Sequence, residues 1–224
     1  IISAGRINPG EKRRVPCMSS VSFRPQDVPV GSLYDLMSAS IAPRPIGFIS
    51  TLNAEGRGNL APFSYFIVGG VNPASLCFCP ANRSNGEDKD SLRNAEATGE
   101  FVANILVRTM AEGMNQTGVD YPSEVDEWPL SGLTAAPSVV VAPPRVLESP
   151  VAFECKLHQV VRHGSGPHGT NYVIGEVVYV HVEESLWNDG MIVAAAFRPL
   201  GRMGGQEYID LGGPEIFELA RPKR

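Results

Sequence analysis

Apolar, β-branched and aromatic residues gather in short runs at 46–52, 60–69 and 74–80, separated by Gly, Asn and Pro clusters. Runs this close leave no room for crossover helices, so they predict strands joined by antiparallel connections. A further strand is expected at 101–107, with Asn104 a polar interruption that satisfies backbone groups or meets a ligand. Two longer runs, 152–161 and 172–182, predict long strands on either side of a Gly-rich turn at 163–169. Helical spacing appears three times. Residues 30–37 place Leu33, Leu36 and Met37 on one side, with Ser32 as the cap and a break at Pro43 and Pro45. Residues 90–99 form a helix capped by Asp90 or Ser91 and ended by Gly99, and 109–118 reads as another. Between them these elements describe a mainly β protein, an antiparallel barrel with a few short decorating helices.

Two segments do not fit a bare barrel. Residues 119–136 make a Pro-, Glu- and Asp-containing excursion around Trp128, long enough to serve as a lid, a binding loop or a dimer contact. An apolar run at 192–197 leads into 199–205, whose glycines permit close approach of the backbone to a ligand or another chain.

At 224 residues and 43% hydrophobic content the chain can bury one sizeable core, assigned to a domain over 26–224. Residues 1–25 are polar and without periodicity. They read as an extension, disordered or left from expression, with Met18 a natural start, or else as an arm packed on a partner subunit. A net charge of −5 excludes nucleic acid as the main partner, and the basic runs at 12–14 and 221–224 read as solvated tails. The four cysteines, Cys17, Cys77, Cys79 and Cys155, make neither a paired metal half-site nor a disulfide framework, so they read as buried thiols. No stretch is long and apolar enough for a membrane helix and no signal pattern is present, so a cytoplasmic location is expected.

The chemistry concentrates in two neighbouring segments and a third downstream. Residues 44–51 (Arg-Pro-Ile-Gly-Phe-Ile-Ser-Thr) end a strand on two hydroxyls; residues 59–65 (Asn-Leu-Ala-Pro-Phe-Ser-Tyr) return along it, interrupted by Pro62; Lys89 precedes the helix at 90–99. Ser50, Thr51, Ser64 and adjacent N–H groups can donate to phosphate or carbonyl oxygens, while Lys89 supplies positive charge at a helix N-terminus. An anionic cofactor with a polar ring edge suits that set; an ordinary capped helix with a surface lysine is the competing reading. Glu124, Asp126 and Glu127 lack a nearby His and read as a solvated loop, not a metal site. His163 and His168 read as an exposed hairpin tip. No Ser–His or Cys–His arrangement can be assembled, so no catalytic side chain is expected.

These segments, in this order, resemble the flavin-reductase-like FMN-binding split-barrel family. The resemblance continues through 89–94 (Lys-Asp-Ser-Leu-Arg-Asn), 99–104, 114–118, 121–128, 149–155, 174–178 and 201–208, covering roughly residues 30–212. It implies a Greek-key split barrel, a homodimer whose two subunits share the flavin cleft, and FMN as cofactor. Under it the flavin ring lies along Phe48, Ile49, Ser50 and Thr51, with hydrogen bonds from Ser50 and Thr51. Asn59, Ala61, Pro62, Phe63 and Ser64 follow its other polar edge and the ribityl chain. The phosphate meets Ser64, Arg83 or Ser84, Lys89 and Ser91, and Gly204, Gly205 and Tyr208 lie near the ring. The implied activity is an NAD(P)H-dependent flavin reductase that takes hydride on the flavin and passes electrons to an acceptor the sequence does not identify. The alternative is an FMN-binding electron-transfer or storage protein without nicotinamide-dependent turnover; a flavin-free dimerisation module is a third reading. No G-x-G-x-x-G opens a helix after a strand, so NAD(P)H would dock transiently over the flavin.

Overall fold

The computed structural model describes residues 20–212; Cys17, Met18 and the basic runs at 12–14 and 221–224 lie outside them. The first half of the chain holds helix α1 (Val30–Ser40), then β1 (Arg44–Pro45), β2 (Gly47–Leu52), β3 (Gly58–Phe63), β4 (Phe66–Val71) and β5 (Ala74–Phe78). Helix α2 (Asp90–Thr98) leads to β6 (Glu100–Ile105), and α3 (Ala111–Gln116) and α4 (Trp128–Ser131) follow. The rest is β7 (Ala135–Ala136), β8 (Arg145–Val146), β9 (Val151–His163), β10 (Thr170–Val182), β11 (Trp187–Asn188), β12 (Met191–Ile192), β13 (Leu200–Arg202) and β14 (Tyr208–Asp210).

Seven strands form one antiparallel sheet in the order β3-β2-β6-β9-β10-β5-β4. Its two edges, β3 and β4, are consecutive in the chain and separated only by Ser64 and Tyr65, so the sheet must curl until its edges meet. They do not pair. The run expected as one strand over 60–69 is therefore two, broken where the chain steps across the seam. The Tyr65 carbonyl accepts from the Cys79 N–H at 2.8 Å, which pins the step to the end of β5. A small sheet β1-β13-β14 sits beside the seam.

Alternation along β2 sends side chains into two apolar layers. Ile49 joins Phe66, Phe78, Phe101 and Val173 in the barrel interior, where Leu92 and Ala95 of α2 close one side. Phe48 joins Leu60, Met110, Met114, Trp128 and Leu200, the layer that fastens α3, α4 and β13 to the outside. Among the described residues no helix is long and apolar enough to cross a membrane.

Helix boundaries differ from the sequence expectations in instructive ways. Helix α1 runs on to Ser40 and starts from Pro29, with no side-chain cap, so Ser32 does not cap it. Neither Asp90 nor Ser91 caps α2: Lys89 holds the N-cap position without a side-chain bond, while Gly99 ends the helix at φ 73°. The close approaches at Gly201 and Gly204 are to this chain itself, a β-carbon at Gly204 falling 3.1 Å from that of Ala39. His181 is a structural partner. It meets Glu154 Oε1 at 2.7 Å, and Glu154 also accepts the N–H groups of Val139, Val140 and Val141. Burial opposes the charge on Glu154, but these hydrogen bonds outweigh it and hold the carboxyl below its ordinary range.

The seam depends on a missing side chain. A β-carbon at Gly47 would lie 2.6 Å from the Phe66 ring, and both residues are walled in by core. Gly47→Ala is expected to lower unfolding stability by about 2 kcal/mol, the scale of overpacking a tight core. Urea denaturation measures it, and an unchanged midpoint would show that the seam can yield.

Candidate functional site

A cavity of about 460 Å3 opens along the seam, a size suited to a small organic ligand. One wall is β3 and the step after it, the second is the segment from Cys79 to Ser91, and the third is the excursion. The rim carries Tyr34 of α1 and His168 of the β9–β10 turn.

One end is cationic. Arg83 Nη2 lies 2.6 Å from Asp90 Oδ2, and Arg83 Nη1 and Lys89 Nζ each lie 3.1 Å from Asp120 Oδ1. Arg83 also donates to the Tyr121 carbonyl, whereas its Nε is buried without a partner. The Ser91 hydroxyl and the Asn59 amide are hydrogen-bonded at 2.9 Å, tying α2 to β3. Because no side chain caps α2, the positive end of its dipole faces the same space. Two cations, the Ser84 and Ser91 hydroxyls, an uncapped helix start and an orphaned guanidinium nitrogen form a donor set that fits a phosphate monoester.

The other end is aromatic. Phe63 lines it, and the Tyr34 and Tyr65 rings approach to 6.4 Å between centroids. Burial pushes the Tyr65 hydroxyl up, with Tyr34 adding to the rise and Arg44 opposing it. Arg44 holds this end in place. It is 5% exposed and donates to the carbonyls of Ser38, Ile41 and Met203 and to Ser64 Oγ. The Arg-Pro of the sequence motif is thus a brace joining α1, the small sheet and the seam.

The residues inferred from sequence divide. Asn59, Ala61, Pro62, Phe63, Ser64, Arg83, Ser84, Lys89 and Ser91 line this cavity. Phe48, Ile49, Ser50 and Thr51 do not, and all four are 0% exposed. The family resemblance runs the ring along these four residues, and none of their side chains reaches this cavity: β2 is flanked by β3 and β6 and covered on both faces. Thr51 accepts from Asn94 of α2 at 3.1 Å, and Ser50 Oγ is buried without a partner. Gly204 and Gly205 stay outside the cavity, and Tyr208 lines an adjoining one.

Several residues escaped the sequence reading. His168, at φ 62°, brings the hairpin tip to the rim. Cys79 is half-buried in the cavity wall, so it is not the enclosed thiol expected; its Sγ is 4.0 Å from that of Cys77. Glu127 is 6% exposed, not solvated, and accepts the Leu60 N–H at 2.7 Å. Burial pushes its carboxyl up to about 7; the Leu60 N–H and Arg83 pull down, while Asp90 and Asp126 add to the rise. Glu127 was visible in sequence only as part of an acidic cluster and of the 121–128 segment of the resemblance, and the only signal for Asp120 was the length of the excursion that carries it.

Comparison with known proteins places this geometry. The sequence profile of the Flavin reductase like domain matches residues 37–198. An uncharacterised protein of Halalkalibacterium halodurans is 36% identical over 191 residues, 84% of this chain and 90% of its own. Among solved structures, nitrilotriacetate monooxygenase component B from Bacillus cereus superposes with a TM-score of 0.84 at 34% identity, covering 90% of this chain and 99% of its own. The Pseudomonas fluorescens 2-nitrobenzoate 2-nitroreductase NbaA gives 0.80 at 28% identity, covering 90% and 96%. A Shewanella frigidimarina protein described as a flavin reductase with a split barrel domain shares the fold, at 0.76 and 23% identity over 91% and 100%. With its split barrel, its phosphate-fitting cavity and a profile match over most of its length, this chain belongs to the flavin-reductase-like family of flavin-linked oxidoreductases.

Proposed function

We propose that the protein binds FMN in the seam cavity, uses NAD(P)H to reduce flavin, passes the electrons to a separate acceptor, and works as a homodimer. The observation that carries this reading is the pairing of a cationic, helix-capped end with an aromatic end in one cavity. Neutral riboflavin would use only the second; a phosphorylated flavin uses both. Arg83, Lys89, Ser84 and Ser91 would hold the phosphate, and β3 with the step at Ser64 and Tyr65 would run beside the ribityl chain and ring. When bound, the flavin supplies the two-electron chemistry. The protein's part is to orient it, to set the charge around it and to limit water. The relatives at 34% and 28% identity, a monooxygenase component and a nitroreductase, support a redox role.

The dimer reading rests on unburied apolar surface. Helix α1 leaves Tyr34 and Met37 exposed, and Ile67 on the edge strand β4 is 59% exposed. An apolar groove between them, lined also by Ile41, Pro43 and Tyr172, shares Ser64, Tyr65 and Cys79 with the flavin cavity. A second copy seated there would therefore cover the ring end of the site, and patches of this kind mark interfaces.

Anaerobic addition of NADH, then NADPH, to the FMN-loaded protein is expected to bleach the flavin band far faster than for free FMN. A bound flavin that neither donor reduces would overturn the reductase reading and leave the electron-transfer one. Lys89→Ala should weaken FMN binding by about tenfold while changing riboflavin affinity little, since one charge-assisted contact is lost; equal losses would remove Lys89 from the phosphate site. Ile67→Glu is expected to halve the mass seen by sedimentation, and a native mass equal to one chain in the unmutated protein would refute the dimer.

Glu127 makes the pocket pH-sensitive. Its folded pKa of about 7 lies above the ordinary 4.5, so the stability of its protonated form is present below the lower value and lost as pH rises through the upper. Glu127→Gln should melt with the unmutated protein near about pH 5 and above it near about pH 8. Parallel melting curves across that window would place the titration elsewhere.

A further inference from the structure

A second cavity, of about 450 Å3, adjoins the first at the aromatic end. The two share Tyr34, Pro62, Ser64, Gly118 and Val119. Its outer wall is Arg202 and Tyr208, which also line the open space beyond it with Glu112 and Gln206. Arg202 and Tyr208 are directly opposed in the β13–β14 ladder. That register stacks the guanidinium on the ring, with Cζ 4.3 Å from the ring centroid, and Arg202 donates to the Gly205 carbonyl. Arg202 makes no ion pair with any carboxylate among the described residues, Glu112 included, and is only partly exposed.

The contrast with the cationic end is informative. Arg83 and Lys89 are matched by Asp90 and Asp120, whereas Arg202 is a planar cation held flat by an aromatic ring with N–H groups to spare. The two cation sites are well separated. Asn59 bonds Ser91 at the phosphate end, and the chain from Asn59 to Ser64 spans roughly 15 Å at the rise of a strand. A ligand laid along β3 from the first site therefore ends near the second.

We propose that the Arg202–Tyr208 platform is a second anion subsite, which takes a phosphate group of the nicotinamide donor while the dihydronicotinamide reaches the ring end of the flavin cavity. This rests on the reductase reading above and names the part of the donor that the chain grips. The phosphate is either the pyrophosphate common to NADH and NADPH or the additional 2′-phosphate of NADPH. Tyr208 supplies a flat apolar surface for the attached ring system, and Arg202 supplies a bidentate fork.

The first test needs no turnover. ADP is titrated calorimetrically into the FMN-loaded protein and into the flavin-free protein, for the unmutated chain, Arg202→Ala and Arg202→Lys. The Ala variant is expected to weaken ADP by about tenfold, with Lys in between because it keeps the charge and loses the fork. The second test compares KM for NADH, NADPH and 1-benzyl-1,4-dihydronicotinamide, which has no phosphate. In Arg202→Ala the KM for NADPH should rise about tenfold relative to the phosphate-free donor. A parallel rise for NADH assigns the pyrophosphate; a rise for NADPH alone assigns the 2′-phosphate. Equal KM changes for all three donors would sink the proposal, and equal ADP affinity in all three proteins, or no ADP binding at all, would sink it unless KM rises for NADPH alone, since ADP carries the diphosphate and no 2′-phosphate. ADP binding that depends on Arg202 in a protein that oxidises neither nicotinamide would leave the subsite standing and remove the reductase function instead.

Discussion

The closure of the barrel by two residues governs the rest of the structure. Strands β3 and β4 sit at opposite edges of a seven-stranded sheet, and Ser64 and Tyr65 alone join them. Such a link forces the edges together without letting them pair, and the unpaired strip between them becomes the cavity. Phe66 fills the interior side of that strip only because Gly47 has no side chain. Arg44, buried and spending its guanidinium on three carbonyls and the Ser64 hydroxyl, keeps the seam from collapsing or drifting. Burying a cation this deeply is costly unless its hydrogen bonds are met, and here they come from α1, the turn after β13 and the seam itself.

The electrostatics of the cavity follow from what the excursion contributes. Asp120 sits between Arg83 and Lys89, and Glu127 reaches Leu60 from behind β3. Both cations are thus oriented before any ligand arrives, and preorganised donors lose less entropy on binding. The acids also temper the positive end. Charge at the site is close to balanced, so the selectivity of this end rests on donor geometry more than on net field.

Much of the fold was legible along the chain. Short antiparallel strands, the long β9–β10 pair and the end of α2 at Gly99 all follow from local pattern and backbone chemistry. The site was legible in part. Lys89, Ser91 and Ser64 could be named from their chemistry at a helix start and a strand end, whereas Arg83, Ser84 and the stretch from Asn59 to Phe63 were named only through the family resemblance. The surroundings of β2 were not legible: its Ser50 and Thr51 look like free donors in sequence, yet both side chains are enclosed between neighbouring strands and two apolar layers. Periodicity shows that successive residues alternate, not what covers either side.

The sequence by itself determined which stretches extend, which coil, and which residues carry the charge and hydroxyl chemistry, because these depend on side chains and their near neighbours. Tertiary structure decided what depends on distant partners. Arg44 became a brace through contacts with Ser64 and Met203, Glu127 became a buried acid through Leu60, and Arg202 became a stacked platform through its register with Tyr208. Each role is set by a residue at least six positions away in the chain and by the solvent that the partner excludes, neither of which a local reading contains.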